Sequence, residues 1–363
     1  MKIPELAIRD IRTRAVSVPL RRPLGTSAAM IRTAPLVLFD VETEEGIIGH
    51  AYAFGLSMST APIRAAIPDI LAAIKGDRLA PFDLHTKLER RFRLFGLQGH
   101  LAIALSCVDV ACWDALARAV GVPLVRLLGG APRAIPAYNS NGLSLGEPAR
   151  LADEAEELLG EGFTAIKLRL GYPTLDGDLA AVRAVKRRIP ASAVLMTDYN
   201  QALTPTEAAR RGRALDEEGV YWIEEPVRHD DYAGAAHVAR EVATPIQIGE
   251  NFVGSRAMAA AFAAQACDYA MPDLQRIGGV TGWLRAAALA DAAGIEMSSH
   301  LFPEVSAHLL AVTPTCHWLE YVDWAAAILA EPLVVKDGHV QVPDRPGNGL
   351  EWDQAAVARY AAE

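Results

Sequence analysis

The sequence has few cysteines, no basic run and no long apolar run, and each absence argues against a class of protein. Basic residues number 35 against 44 acidic ones, so the net charge is −9 and nucleic acid is not an expected partner. No apolar run reaches the roughly 18 residues of a membrane span, and the N-terminal stretch lacks the apolar core of a signal peptide. The cysteines have neither zinc-site spacing nor the density of a disulfide framework. We therefore expect a cytoplasmic protein without a membrane partner, with reduced thiols at Cys107, Cys112, Cys267 and Cys316.

Length and apolar content allow a large core. The chain has 363 residues, 51% of them hydrophobic, which indicates two domains or one barrel with an extra lobe. In the first third, strand-like stretches include a hairpin around Glu44-Glu45-Gly46, and helical patterns follow. The sequence Gly129-Gly130-Ala131-Pro132 marks a boundary. We predict an α+β lobe with strands at residues 8–20, 34–43 and 46–53 and helices at residues 61–75, 83–93 and 100–120.

From Ala134 onward, short apolar stretches alternate with amphipathic helical stretches. This alternation is typical of a parallel α/β barrel, in which the chemistry lies at the C-terminal ends of the strands. The pattern is lost past Glu320, and we expect the tail to fold back on the N-terminal lobe. The eight predicted strands lie at residues 135–138, 165–168, 194–197, 221–224, 246–249, 269–271, 296–298 and 318–320.

Three evenly spaced acids, Asp198, Glu224 and Glu250, each follow a predicted buried strand. Acids often cap the helix that follows a strand, which is the structural alternative for any one of them. Three carboxylates that converge on one point repel one another unless a cation lies between them. Since all three supply oxygen and neither cysteine nor histidine stands at these three strand ends, the pattern predicts one Mg²⁺ site, with Mn²⁺ as a substitute.

Cations are predicted at the same end of the barrel. Lys167 and Arg169 are two positions apart on one strand, so both side chains face the barrel mouth. Two inward cations are costly unless acids or an anion meet them, although one of them could pair with a neighbouring acid for structure alone. Asn200 is two positions after Asp198 and faces the same centre.

A histidine and two further acids follow the last strands. Asp273 ends the sixth predicted strand, and His300 ends the seventh. An Asp can orient an imidazole and raise its basicity, so this pair is a candidate general base, whereas a lone His is more often structural. Glu320 ends the eighth strand, opposite the cations.

These residues lie within stretches that resemble the enolase superfamily, and within it the mandelate racemase/muconate lactonizing enzyme subgroup. The resemblance covers nearly the whole chain. It implies a modified TIM barrel, (β/α)7β, with an N-terminal α+β capping domain, one Mg²⁺ per subunit at Asp198, Glu224 and Glu250, and a homo-oligomer, an octamer in this family. The implied domains are the capping domain (1–131), the barrel (132–322) and a C-terminal segment that packs on the capping domain (323–363). The most specific stretches are AIKLRLGYP (165–173), VLMTDYNQ (194–201), WIEEP (222–226), AMPDLQRIGGVTGW (270–283), MSSHLF (297–302) and HWLE (317–320).

The resemblance also implies roles for the predicted site residues. Members of the family remove the proton next to a carboxylate, through an enediolate that the metal stabilises. Lys167 would neutralise the substrate carboxylate, and Asn200 would assist it. Glu320, in protonated form, would donate a hydrogen bond to a carboxylate oxygen. His300 with Asp273 would be the base on one face of the carbon.

Three positions qualify these roles. Arg169 stands where the racemase pattern has the lysine that acts as the second base, and a guanidinium stays protonated in almost all environments. Arg276 stands where the pattern usually has lysine, so the charge is kept. Ser140 is a further predicted contact of the substrate carboxylate.

Two loops of the lobe, near residues 22–32 and 52–60, would select the substrate in this family. Their apolar residues favour an aryl or alkyl substituent over a polyol, unless they only pack the lobe onto the barrel. Arg22 and Arg32 could serve a second anionic group. The predicted lining consists of Leu24, Met30, Ile31, Phe54, Leu56 and Met58, with Val322 from the barrel.

Three functions follow, each acting on or binding a small-molecule carboxylate. The first is a Mg²⁺-dependent racemase or epimerase of a 2-hydroxy acid with an apolar substituent, favoured by the lining. The second is an acid-sugar (aldonate or aldarate) dehydratase with His300 as its single base and acid, favoured by Arg169. The third is a binding protein whose catalysis has lapsed, which the complete acid set and His–Asp pair disfavour.

Overall fold

The computed structural model describes residues 4–26, 30–55 and 59–362. The first part of the chain supplies three strands of a four-stranded antiparallel sheet, and a short strand from the end of the chain supplies the fourth. The predicted hairpin is confirmed, since the second and third strands pair and Gly46 turns between them at φ +81°, a conformation that glycine adopts without strain. The strands are β1 (Ile8–Gly25), β2 (Met30–Thr43) and β3 (Ile48–Phe54).

Helices cover one face of this sheet. The single helix predicted at residues 61–75 is two helices, because Pro68 lacks the N–H that a continuous helix needs at that point. The fourth helix is long and apolar enough to cross a membrane, yet most of it is buried against β3, as expected for a core helix. The helices are α1 (Ala61–Ala65), α2 (Ile67–Ile74), α3 (Pro81–Phe92), α4 (Gly99–Val120) and α5 (Leu124–Leu127).

The second part of the chain is a parallel barrel in which seven strands are each followed by helix and an eighth closes the ring. The strands are β4 (Ala134–Asn139), β5 (Ala165–Arg169), β6 (Val194–Asp198), β7 (Ile223–Glu224), β8 (Ile246–Ile248), β9 (Tyr269–Ala270), β10 (Glu296–Met297) and β11 (Leu319–Tyr321). All eight predicted strands are confirmed, with small shifts at their ends. The helices are α6 (Pro148–Gly160), α7 (Leu175–Arg188), α8 (Pro205–Asp216), α9 (Tyr232–Glu241), α10 (Gly254–Ala263), α11 (Leu274–Ile277), α12 (Gly279–Ala293) and α13 (Pro303–Leu310).

Backbone pairing closes this barrel. Neighbouring strands from β4 to β10 pair in parallel, and β11 pairs with β4. The Ser299 N–H donates to the Trp318 carbonyl (3.0 Å) and joins the last two strands. The fold is therefore the predicted (β/α)7β barrel, and the C-terminal strand ends meet at one mouth.

The tail contacts both parts of the chain. It contains β12 (Val335–Lys336), β13 (His339–Gln341), α14 (Gln354–Arg359) and β14 (Ala361–Ala362). Strand β13 pairs with barrel strand β4, whereas β14 pairs with β1 of the lobe. The tail thus ties the lobe to the barrel.

Buried hydrogen bonds hold the lobe over the barrel mouth. The Tyr52 hydroxyl donates to Glu304 (2.8 Å), and the Phe54 N–H donates to the Gln275 side chain (3.0 Å). Trp113 on α4 donates its indole N–H to the Thr281 hydroxyl (3.0 Å). Since the barrel partners follow β9 and β10, the lobe lies at the end where the predicted site residues gather.

Candidate active site

The three predicted metal ligands lie at neighbouring strand ends. Asp198 and Glu224 are register partners across β6 and β7, and Glu250 directly follows β8. Asp198 and Glu224 are fully buried. Asn200 donates to both oxygens of Asp198, from its backbone N–H (2.7 Å) and from Nδ2 (2.9 Å), and so orients this carboxylate.

Lys167 is the centre of a buried charge cluster. Its Nζ lies 2.6 Å from Glu224, 2.8 Å from Glu320 and 3.3 Å from Asp198. Burial alone would lower the pKa of Lys167, but these three carboxylates raise it above its usual value. Lys167 therefore stays an ammonium, which suits it to neutralise carboxylates and not to act as a base.

In this arrangement Glu320 accepts three hydrogen bonds, which favours the ionised form, and its protonated role towards a substrate stays a prediction. Its Oε1 accepts hydrogen bonds from Lys167 (2.8 Å) and from the Ser140 hydroxyl (2.7 Å), and Oε2 accepts one from the Leu301 N–H (2.9 Å). Burial would raise the pKa of Glu320, but the positive charges of Lys167 and His300 lower it well below its usual value. Neighbouring acids would favour a proton on Glu320, but the Lys167 ammonium at contact distance outweighs them.

Arg169 is fixed against the loop that follows β4. Its Nη1 donates to the carbonyls of Ser140 and Gly142, both at 2.8 Å, and Nη2 donates to the Ser140 hydroxyl at 2.9 Å. The side chain is buried. Two of these three acceptors are carbonyl oxygens, which can only accept, so each needs the guanidinium N–H that it receives. Ser140, predicted to contact the substrate carboxylate, contacts Glu320 and Arg169 in this structure, and its contact with substrate stays a prediction.

The predicted His–Asp pair is present. The Nδ1 of His300 lies 2.7 Å from Oδ2 of Asp273, and the other oxygen of Asp273 accepts the Gln275 N–H at the start of α11 (2.8 Å). The Nε2 of His300 faces Glu250 Oε2 at 3.5 Å. Burial alone would lower the pKa of His300, but Glu250, Glu320 and Asp273 raise it to about 9. Nδ1 donates to Asp273, and Nε2 is the nitrogen that can exchange a proton. A pKa of about 9 keeps His300 an imidazolium near pH 7, so it acts as a base there only where a cation offsets the charges of Glu250 and Glu320.

Arg276 supports Glu250 from outside the cluster. Its Nη1 donates to the Glu250 carbonyl (2.9 Å) and to the Asn251 side chain (2.8 Å). The Asn251 amide in turn donates to the Glu250 carboxylate (3.2 Å). Arg276 thus holds the backbone of a predicted ligand, a role that its sequence position alone did not indicate.

Two predicted lining residues are buried beside the site. Phe54 is 2% exposed and its ring packs on Trp324, with centroids 4.7 Å apart. Val322 is 4% exposed and directly follows β11, two positions after Glu320. Phe54, a lobe residue, thus packs against the chain that follows the last barrel strand, and Val322 adds buried apolar surface next to Glu320.

The remaining lobe residues differ from one another. Leu24 and Ile31 are buried, whereas Met30 is 54% exposed. The expectation that Arg22 serves an anionic substrate group is not supported, because its guanidinium donates to Glu161 (2.8 Å). Two predicted lining residues lie outside the described residues, Leu56 and Met58.

Sequence reasoning missed two residues next to the site. Gln275 links Asp273 to the Phe54 N–H of the lobe, and no local pattern marks such a bridge. Glu225 is fully buried beside Glu224 with φ +40°, a left-handed conformation that is rare outside glycine. Asn200 and Leu301 share this conformation at other strand ends. The second acid of WIEEP was the only sequence signal for Glu225. Left-handed backbone at residues other than glycine is strained, and such strain clusters at functional sites.

The donor set fits a magnesium ion. Among residues 4–26, 30–55 and 59–362, no three acidic, His or Cys side chains are close enough together to hold one ion without moving. Asp198 and Glu224 point towards the Lys167 ammonium in this structure. Small rotations of the two side chains would turn their carboxylates towards a metal ion. Burial, with Asp198 and Glu320, raises the pKa of Glu224 to about 8 although Lys167 opposes this, so a further positive charge would keep Glu224 ionised. Hard oxygen donors suit Mg²⁺.

Comparison with known families agrees with this architecture. Residues 8–129 match the mandelate racemase/muconate lactonizing enzyme N-terminal domain, and residues 150–356 match the enolase C-terminal domain-like family. The chain belongs to the mandelate racemase/muconate lactonizing enzyme subgroup of the enolase superfamily. Its predicted assignment is therefore confirmed.

Solved structures from this superfamily superpose closely on the chain. An enolase from Bradyrhizobium in complex with magnesium and mandelic acid is 43% identical, covers 100% of both chains and has a TM-score of 0.95. An enolase from the alpha proteobacterium bal199 with bound magnesium is 45% identical, covers 98% of this chain and 100% of its own, and also has a TM-score of 0.95.

Curated relatives in the subgroup are enzymes. The 3,6-anhydro-alpha-L-galactonate cycloisomerase of Streptomyces coelicolor is 32% identical over 98% of this chain and 99% of its own length. Other relatives are named L-talarate/galactarate dehydratase and L-Ala-D/L-Glu epimerase. The chain is thus a Mg²⁺-dependent enzyme of a superfamily that contains epimerases, dehydratases and cycloisomerases.

Proposed function

We propose that the chain removes the α-proton of a 2-hydroxycarboxylate with an apolar substituent and acts as a racemase or epimerase. The observation that carries this proposal is the His300–Asp273 pair, whose Nε2 faces the acid cluster around Glu250. A histidine held in one tautomer by a carboxylate is a suitable general base.

Each protein group has a defined part in this reaction. Asp273 holds His300 so that Nε2 takes the proton from one face of the carbon. Inversion requires that the enediolate be reprotonated from the opposite face, and the Arg169 guanidinium is the proposed donor of that proton, which it regains from solvent. The Lys167 ammonium neutralises charge on the substrate carboxylate as the enediolate develops, in a cluster from which solvent is excluded. Mg²⁺, held by Asp198, Glu224 and Glu250, would supply further positive charge there. Glu320, ionised, keeps Lys167 in place.

Apolar surface supports the proposed substrate class. Phe54 and Val322 bring a ring and a branched side chain to the junction of lobe and barrel next to the site. The Bradyrhizobium relative was crystallised with mandelic acid, a 2-hydroxycarboxylate with an aryl substituent. A polyol chain would leave hydroxyl groups unpaired against such a wall.

A second function is favoured by the hydrogen bonds of Arg169. Because these bonds hold the guanidinium away from a role as base, one face of the carbon has only His300. In an acid-sugar dehydratase, His300 would take the α-proton, and the β-hydroxyl would leave as water with that proton. The enol formed would become a 2-keto acid. This reaction needs only one base.

Product analysis distinguishes the two functions. The Mg²⁺-loaded protein is incubated with (R)-mandelate, with (S)-mandelate and with a panel of aldonates and aldarates. Chiral chromatography reports racemisation, and semicarbazide reports 2-keto acids. The proposal predicts that the opposite mandelate enantiomer forms and that no semicarbazone accumulates. A semicarbazone from one sugar acid, without racemisation, would instead establish the dehydratase. Failure of both, with Mg²⁺ bound, would favour the lapsed binding protein.

A further inference from the structure

A large cleft lies between the lobe and the barrel, on the far side of Arg276 from the catalytic cluster. It has a volume of about 680 Å³, within the range of small-molecule sites. Helices α3 and α4 form one wall, and the starts of α10 and α12 form the other. Among the described residues that line the cleft, none belongs to the catalytic cluster of Lys167, Asp198, His300 and Glu320.

The charge of this cleft is opposite to that of the whole chain. The protein carries a net charge of −9, yet the lining has five arginines against two acids. A concave site with apolar walls and charged groups of mainly one sign concentrates ligands of the opposite charge. The arginines are Arg90, Arg93, Arg256, Arg276 and Arg285, and the acids are Glu89 and Asp109.

A helix start adds to this positive potential. Helix α10 begins at the cleft with Val253 as its N-cap residue. No side chain caps it, and its first turn contains no acid. Its free N–H groups therefore present a positive partial charge, which an anion would satisfy.

A buried acid in the cleft wall also points to a ligand. Asp109 is 6% exposed, and its Oδ1 accepts the Thr281 N–H at 2.9 Å. Its Oδ2 has no hydrogen-bond partner among the described residues, and the nearest cationic group is Nδ1 of His85 at 3.7 Å. An unpaired buried carboxylate oxygen is costly, and a ligand hydroxyl or ammonium would satisfy it.

From these features we propose that the cleft is a second binding site, separate from the catalytic centre. Its ligand is a small organic anion, a carboxylate or phosphate ester, that also carries a hydroxyl or amino group. The anionic group meets Arg93, Arg256 and the start of α10, and the donor meets Asp109. The apolar side chains of Leu84 and Leu97 contact the carbon skeleton.

Calorimetry with the Mg²⁺-loaded protein tests this proposal with three probes: sulfate, glycerol 3-phosphate and aspartate. The last two distinguish a phosphate ester from a carboxylate. The double variant Arg93→Ala/Arg256→Ala should raise the Kd of the binding probes by about tenfold or more, since it removes charge-assisted contacts. Arg213→Ala is the matched control, because it removes an exposed arginine elsewhere, and it should leave the Kd within about twofold. Arg276 is left intact because it contacts Glu250.

A third variant tests the donor. Asp109→Asn keeps the acceptor for Thr281 and should weaken glycerol 3-phosphate or aspartate, whereas sulfate, which has no donor for Asp109, should bind equally or more tightly because a negative charge is removed. The proposal is wrong if no probe binds, or if the double variant binds as the unmodified protein does. If no probe binds and the double variant also changes the sedimentation coefficient, the cleft is instead a contact between copies of the chain.

Discussion

Lys167 and Arg169 lie on the same strand and face the same way, yet they end in different environments. Lys167 meets three carboxylates, whereas Arg169 meets two carbonyls and a hydroxyl. Both remain cations, but only Lys167 lies among the acids proposed to bind substrate and metal. The single base left is His300, so proton abstraction is expected from one face of the carbon, and Arg169 can act on the other face only as a proton donor.

The metal assignment is tested at Glu224. Glu224→Gln removes one anionic ligand and should weaken Mg²⁺ binding by at least about a hundredfold, the upper end of what loss of an outer-shell partner costs. Calorimetry measures this, and circular dichroism verifies that the barrel remains folded. Glu296→Gln, at the opposite end of strand β10, is the control and should bind Mg²⁺ normally. Undiminished affinity in Glu224→Gln would show that the assignment is wrong.

The role of Arg169 is tested by Arg169→Lys. A lysine cannot make the same three planar contacts and can lose its proton, so it should supply a base on the second face. We expect faster deuterium exchange of the slow mandelate enantiomer in this variant, followed by proton NMR. A protein that already uses Arg169 as a base would instead exchange both enantiomers equally and lose activity on this change.

The elements themselves were largely predictable, because each buried strand is a short apolar run that ends in a polar residue. Asp198, Glu224, Glu250, Asp273 and His300 could be located from that pattern alone. Properties that depend on contacts between strands far apart in the sequence could not be predicted. The ionisation of Glu320, for example, follows from its contact with Lys167 on another strand. The break before α2 was missed because the apolar pattern of residues 61–75 continues across Pro68.

Long-range bridges between the two parts were also invisible in the sequence. Tyr52 on β3 and Glu304 at the start of α13 are far apart in the chain, and neither follows a recognisable pattern. Yet their hydrogen bond is one of those that hold the lobe over the mouth. Such pairs emerge only when the sheet and the barrel are placed together.

The Tyr52–Glu304 contact predicts how stability depends on pH. Burial raises the pKa of Glu304 from its ordinary 4.5 to about 7. The folded state thus holds this proton more tightly than the unfolded chain does, so the free energy of unfolding falls as pH rises from about 4.5 through 7. Glu304→Gln stays neutral and should lose less stability between pH 5 and 8, measured as Tm. The exposed Glu217→Gln is the control, and equal slopes in all three proteins would contradict the account.

At the scale of the whole molecule, the acid cluster couples folding to the metal. Several carboxylates surround one ammonium, and a cation bound only by the folded state stabilises it. Magnesium at about a hundred times its Kd should add ~2.7 kcal/mol and raise Tm by about 3.5 °C, and a chelator should reverse this. Differential scanning calorimetry measures the effect. A Tm that is independent of magnesium would argue against a site built at the strand ends.

The predicted homo-octamer and the division at residues 131 and 322 stay predictions. Light scattering would compare the mass in solution with the 38.9 kDa of one chain. The tail, which pairs with both β4 and β1, would resist separation of the two parts.

The central claim is that His300, oriented by Asp273, exchanges the α-proton. The most direct measurement is proton NMR of each mandelate enantiomer in deuterated buffer with the Mg²⁺-loaded protein. The account predicts that one enantiomer exchanges much faster than the other. It also predicts that His300→Asn lowers this exchange by at least about a hundredfold while Mg²⁺ affinity is retained. Fast exchange of both enantiomers, or exchange that survives in His300→Asn, would contradict it.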